Sequence, residues 1–182
     1  MADFALLGEG LALDLANTLV REHGAAVDLL ARRGAAAAWC AAHADALPGG
    51  RVPAAGLAAL RDAVHETLDA AARRRRPDAA ALALVDASAA AVRPKLRATP
   101  HGPVVAWTGP RAGGARALGA IARDAQAVLA DPHAEVRACA NPDCVLLFVA
   151  RDGRRRFCTT AICSNRVRQA RHRARHRAGT SA

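Results

Sequence analysis

Four of the chain's five cysteines, Cys139, Cys144, Cys158 and Cys163, fall in one 25-residue window with the spacing C-x4-C-x13-C-x4-C. Zn²⁺ in a structural site takes four tetrahedral ligands, and two short loops that each turn a pair of thiolates inward supply such a set. The first loop, CANPDC, contains the turn former Asn-Pro-Asp. Thiolate fills all four positions and no general base is placed nearby, so the pattern predicts one closed structural zinc site rather than an open catalytic one. Two disulfides or unrelated buried thiols are the alternative. Clustered cysteines in the cytosol are more often metal ligands than a disulfide framework. The N-terminus, MADFALLGEGLALDLANTL, has Asp3, Glu9 and Asp14 where a signal peptide needs a basic start and an apolar run. The longest stretch free of charge, residues 98–110, is broken by three prolines and two glycines, too short and interrupted for a membrane span. A cytoplasmic protein without a membrane partner is expected.

The charge distribution explains why such a segment needs metal. Residues 151–182 carry ten arginines and a single acid, Asp152, whereas the rest of the chain balances 16 basic against 15 acidic residues. A nearly neutral body therefore bears a cationic tail, whose natural partner is a polyanion. So charged a segment cannot build an apolar core, and structural zinc, which contributes on the order of 10–16 kcal/mol, would replace one. LLFVA (146–150), a turn at Arg151-Asp152-Gly153, and RRRFC (154–158) read as a β-hairpin. After Cys163 the run SNRVRQARHRARHR has no Pro or Gly until Gly179 and reads as a helix. On that helix Arg168, Arg171 and Arg175 form one row and Arg166, Arg173 and Arg177 another, flanking the stripe Val167, Ala170, Ala174 and Ala178. The stripe could dock on the hairpin while the guanidinium rows follow phosphates or bond guanine edges in a major groove. Candidate nucleic-acid contacts are Arg154, Arg155, Arg156, Asn165, Arg166, Arg168, Arg171, Arg173 and Arg175. A solvated basic helix or a disordered tail is the alternative, chiefly beyond Arg175.

The first 134 residues read as an alanine-rich helical body, since aromatics are only 3% of the chain. Helices are expected over 11–20 and 27–47, interrupted at Gly34, and around Leu57, Leu60, Val64, Leu68 and Ala71, with further helices following Asp78 as N-cap and over 111–131. Between those last two, VRPKLRATPHGPVVAWTG reads as one short hairpin. Arg73 to Arg76 complement a helix dipole more readily than they make a nucleic-acid patch. Asp14, Asn17 and Thr18, within about one helical turn, are candidates either to bind a small effector or to fix a neighbouring loop. Cys40 and His43 lack two further partners and read as a buried thiol and a surface histidine. Trp39 and Trp107 read as core residues. No histidine forms a triad with a nucleophile, and no enzymatic activity is expected.

Cys163-Ser164-Asn165-Arg166, preceded by RRRFC, resembles the CGNR zinc-finger family, and LALDLANTL resembles the start of the ABATE domain that precedes this finger in bacterial stress-induced transcription regulators. The resemblance implies zinc on Cys139, Cys144, Cys158 and Cys163 and a DNA-binding role for the finger. Ser164 stands in place of the family's Gly, which would strain a left-handed backbone but suits an N-cap. Phe157 stands where Trp is expected. The fold expected is mainly α: a helical domain (1–134) with one short hairpin, then a treble-clef-like zinc module (135–182) of knuckle, hairpin and helix. The function expected is zinc-dependent binding of double-stranded DNA by a transcription regulator, with the N-terminal domain sensing an effector or forming a homodimer. A nonspecific RNA binder, and a finger that docks an acidic protein, are the alternatives.

Overall fold

A computed structural model describes residues 4–49 and 51–179, apart from the side chains of Arg171, Ala174 and residues 177–179. The helices are α1 (Leu11–Ala16), α2 (Ala35–Ala42), α3 (Ala54–Ala72), α4 (Ala79–Ala90), α5 (Ala115–Ala130) and α6 (Asn165–Gly179). The strands pair in three antiparallel hairpins: β1 (Leu19–Glu22) with β2 (Ala25–Asp28), β3 (Arg93–Thr99) with β4 (Gly102–Thr108), and β5 (Glu135–Ala138) with β6 (Leu147–Ala150). No helix among the described residues is long and apolar enough to cross a membrane.

The periodic leucines of α3 do what their spacing predicts. Leu57, Leu60, Val64 and Leu68 are buried against Leu13 and Leu15 of α1, Trp39 of α2, Val85 of α4 and Ile121 of α5. Asp78 caps α4 by accepting the N–H of Ala81 at 2.8 Å. The helices α4 and α5 approach closely because residue 119 is glycine; a Cβ there would come within 2.3 Å of Val92 Cγ2 and 2.8 Å of the Ser88 carbonyl. At the end of α3, Arg74 adopts φ 53°, and the N–H groups of Arg74 and Arg75 return to the carbonyls of Ala71 and Ala70, a Schellman-type stop. Arg73 and Arg75 pair with Asp69 and Glu66 on the same helix, so this arginine cluster completes a helix end.

Two element assignments are corrected. The helices expected over 11–20 and 27–47 do not include residues 19–20 and 27–28, which belong to the β1–β2 hairpin: His23 (φ 51°) and Gly24 (φ 85°) make the two-residue turn between Glu22 and Ala25, with positive φ at both central positions. The second correction concerns β6, which pairs with β5 rather than with residues 154–158. The backbone of that later segment is engaged elsewhere: the carbonyls of Gly153 and Arg155 accept from Arg137, and the Arg156 carbonyl accepts from the Ala140 N–H. Val136, Leu147 and Val149 join the core of the helical body, so the two parts share one apolar interior.

Two clusters pair buried charged groups, although Trp39 Nε1 and Thr159 Oγ1 have no hydrogen-bond partner among the described residues. Arg61, 3% exposed, donates to Asp28 at 2.7 and 2.8 Å and to Thr18 Oγ1 at 3.3 Å, and its guanidinium holds the Asp28 carboxyl below its usual range. His43 is not a surface residue: its side chain is 9% exposed and stacks on Trp39 with ring centroids 4.1 Å apart. Its Nδ1 faces the Trp39 carbonyl at 2.9 Å and its Nε2 faces Asp14 Oδ2 at 3.2 Å. Both neighbours accept, a setting that favours the ring with protons on both nitrogens. Burial opposes that charge, but the Asp14 carboxylate and the Trp39 carbonyl outweigh it and raise the pKa. A raised folded value means that this pair's stabilisation is complete below about 6.5, the ordinary histidine pKa, and is lost as the pH rises through the folded value. The melting temperature is expected to fall by a few °C as the pH is raised through and above the ordinary histidine range, and His43→Gln is expected to remove that dependence. Thermal melts of both proteins across that range check it.

Candidate metal centre

The first cysteine pair is the loop of the β5–β6 hairpin. Cys139 follows β5 directly, its N–H bonds to the Leu146 carbonyl at 3.0 Å, and the Cys144 N–H bonds to the Asn141 carbonyl at 2.9 Å. The Ala140 N–H bonds to the Arg156 carbonyl at 2.9 Å, tying the loop to the segment that delivers Cys158. Cys163 sits in one wide, π-type turn, Thr160–Ser164, where the Ser164 N–H reaches the Thr159 carbonyl at 3.3 Å. That turn runs into α6. Ser164 is not in the left-handed region, so no strain attends the residue that replaces glycine. Phe157 is half-buried and packs beside the cysteines with Phe148 and Leu7.

All four sulfurs lie within 4.8 Å of one another. Cys144 Sγ is 3.8 Å from Cys158 Sγ, which is 3.4 Å from Cys163 Sγ. A tetrahedral ion with Zn–S bonds of about 2.3 Å requires S···S separations near 3.8 Å. A disulfide requires about 2.05 Å, and all the cysteines are free. Asn141, 3% exposed, spans the two halves by directing Nδ2 at Cys163 Sγ, 3.6 Å away. The cluster's electrostatics also call for a cation. Hydrogen bonds from the Cys144 and Cys158 thiols pull Cys139 down to about 2, and the resulting thiolate pushes Cys144 up to about 12 and Cys158 upward as well. A set that can ionise only in part by itself accepts four thiolates once a divalent ion replaces the protons. The donor set fits one zinc ion.

Arg155, one of the candidate nucleic-acid contacts, is placed differently from its neighbours Arg154 and Arg156. Its side chain turns inward, with Nε on the Phe157 carbonyl (3.2 Å), Nη1 on the Val149 carbonyl (3.2 Å), Nη2 on the Cys158 carbonyl (2.6 Å) and the guanidinium 4.6 Å above the Phe148 ring. It also pairs with Glu9 at 2.5 Å, and Glu9 accepts the Val149 N–H. Arg155 therefore braces the loop that carries Cys158 against β6 and the N-terminal segment. Arg154 and Arg156 are exposed, as are Asn165, Arg166, Arg168, Arg173 and Arg175. The side chain of Arg171 lies outside the described residues. Of the stripe on α6, Val167 is half-buried and Ala170 is exposed, while Ala174 and Ala178 lie outside the described side chains.

Asp14, Asn17 and Thr18 are 6%, 1% and 0% exposed and have partners inside the protein. Asn17 both donates to the Leu147 carbonyl and accepts the Leu147 N–H at 2.9 Å, matching both backbone groups of one β6 residue across 130 residues of sequence. Thr18 donates to the Leu15 carbonyl, and Asp14 accepts from the Leu7 N–H and faces His43. These three side chains fasten α1 to its neighbours. Asn141 and Glu9, absent from the sequence-derived set, join Asn17 as the groups that position the metal site, and only Asn141 stood inside a motif that could have drawn notice.

A helical body continuous with a four-cysteine, zinc-binding module that ends in a basic helix defines a zinc-finger protein. Residues 9–132 match the ABATE family model, described as "Putative stress-induced transcription regulator", and residues 135–176 match the CGNR zinc finger. The chain belongs to the ABATE family and carries a CGNR finger in the order that the sequence implied. No curated protein matches the chain.

Proposed function

We propose that this protein binds double-stranded DNA through α6 and the exposed arginines beside it, and acts as a transcription regulator whose helical body senses an effector or dimerises. The observation that carries the reading is the state of the basic residues. Among the described residues, no carboxylate lies within ion-pair distance of Arg154, Arg156, Arg166, Arg168, Arg173 or Arg175, while Arg61, Arg73, Arg75, Arg137 and Arg155 are all paired within the fold. A zinc ion on Cys163 would anchor α6 through the turn Thr160–Ser164 that leads into it. Beyond it, a 15-residue helix about 22 Å long extends from the site. Its width suits the major groove of B-DNA, and arginine is the side chain best matched to phosphate and guanine.

The test is binding of the zinc-loaded chain to random duplex DNA, single-stranded RNA and an acidic protein across a salt series. Duplex DNA is expected to bind tightest, with log K falling by about 0.9 per phosphate neutralised, and Arg168→Gln, Arg173→Gln and Arg175→Gln together are expected to reduce that slope by roughly 2 to 3. Tighter RNA binding, or a shallow slope with preference for the acidic protein, would overturn the duplex reading.

A further inference from the structure

The four cysteines are not equally sheltered. Cys139, Cys158 and Cys163 are 8%, 3% and 4% exposed, whereas Cys144 is half-buried. An open groove of about 440 Å³ runs between the N-terminal segment and the zinc module, and Cys144, Cys158 and Cys163 line it while Cys139 does not. Hydrogen bonding sets Cys144 apart from two of the others: Cys139 receives backbone N–H groups from both Cys158 and Asn141, and Cys163 faces the Asn141 side-chain amide, whereas Leu146 alone supplies a backbone N–H to Cys144. Cys158 is set apart by burial alone. Each N–H donor draws charge from a thiolate and dulls it as a nucleophile. Arg21 and Arg166 line the same groove against one carboxylate, Asp143, so the approach to Cys144 is positive on balance outside the cluster itself.

We propose that Cys144 is an oxidation site through which a hydroperoxide opens the zinc cluster, with Cys158 as the resolving partner. Zinc-bound cysteines are thiolates, the nucleophilic form. The Cys144 sulfur attacks the near oxygen of hydrogen peroxide, forming an S–O bond and breaking the O–O bond, and the second oxygen takes up a proton and leaves as water. Cys158 Sγ stands 3.8 Å from Cys144 Sγ. Its thiolate attacks the sulfenic sulfur, forming the disulfide and releasing the S–O oxygen, which is protonated to a second water. The two thiolates together lose two electrons and the peroxide gains them. Only Cys139 and Cys163 then remain as thiolates, below the four that a closed zinc site requires. Because α6 begins two residues after Cys163, loss of the metal frees the base of the arginine helix. That last consequence rests on the DNA-binding proposal, but the oxidation does not.

Zinc-loaded full-length protein treated with hydrogen peroxide tests this, with released zinc read by a chromogenic chelator and cysteine pairing read by peptide mapping. The expected result is one zinc released per chain together with a Cys144–Cys158 disulfide. In the same protein before oxidation, iodoacetamide is expected to label Cys144 roughly fivefold or more ahead of the other three ligands. Zinc retained under peroxide, first labelling at Cys139 or Cys163, or a disulfide that omits Cys144 would each overturn the proposal. None of these readouts uses DNA, so a failure here is distinguishable from a failure of the duplex reading.

Discussion

Cys158→Ser, or removal of zinc by a chelator, is expected to unfold the two metal loops while leaving the helical body and the β5–β6 pair in place. The cluster around the sulfurs consists of the cysteines themselves with Phe148, Ala150 and a few half-buried neighbours, too small a core to hold loops this rich in arginine. The zinc contribution, on the order of 10 kcal/mol, is comparable with the whole stability of an ordinary domain. The strands survive for a different reason. Val136, Leu147 and Val149 are buried with α1, α3 and α5, and Asn17 holds the Leu147 peptide from the body's side. Amide hydrogen exchange checks this directly. Protection is expected to persist at Leu147 and Val149 and to collapse at Ala140, Cys144 and Ser164, whose N–H groups are bonded only within the zinc module. Uniform protection with and without metal would contradict it.

Arg155→Ala is expected to act on the zinc module's stability rather than on nucleic-acid contact alone. The substitution strands three carbonyls and leaves Glu9, 11% exposed, without its cation. Hydrogen bonds to charged groups contribute about 1.5–3 kcal/mol each, and breaking a buried ion pair costs about 3–5 kcal/mol; the side chain of Arg155 is one-third exposed, so a total of about 2–4 kcal/mol is expected. Arg154→Ala and Arg156→Ala, at exposed neighbouring positions, are expected to leave stability within about 0.5 kcal/mol. Denaturant unfolding of the three variants, with zinc affinity measured alongside, separates them. Equal stability of Arg155→Ala and Arg154→Ala would contradict the bracing role.

This contrast shows what a sequence can and cannot carry. Local chemistry was legible: the paired C-x4-C spacing, the apolar period of α3, the Asp78 cap and the Pro-His-Gly hairpin each lie within a few residues and need no knowledge of the rest of the chain. Three adjacent arginines, however, look alike in sequence, and only the path of the backbone turns the middle one inward. Long-range pairing was equally invisible. Glu135–Ala138 looks like a linker until β6 is seen to pair with it, and nothing near Asn17 announces that its partner lies at Leu147. The β1–β2 hairpin was lost because its turn places His23 at positive φ, where glycine or asparagine would have signalled it.

On the proposed reading, the sulfur cluster holds α6 in a DNA-binding position by holding zinc. The most direct measurement is duplex affinity of one preparation at a single salt concentration, with zinc content determined before and after chelation and again after zinc is restored. One zinc per chain, loss of binding on removal and recovery on reloading are the results predicted. Duplex affinity that is unchanged in the zinc-free protein would contradict the central claim.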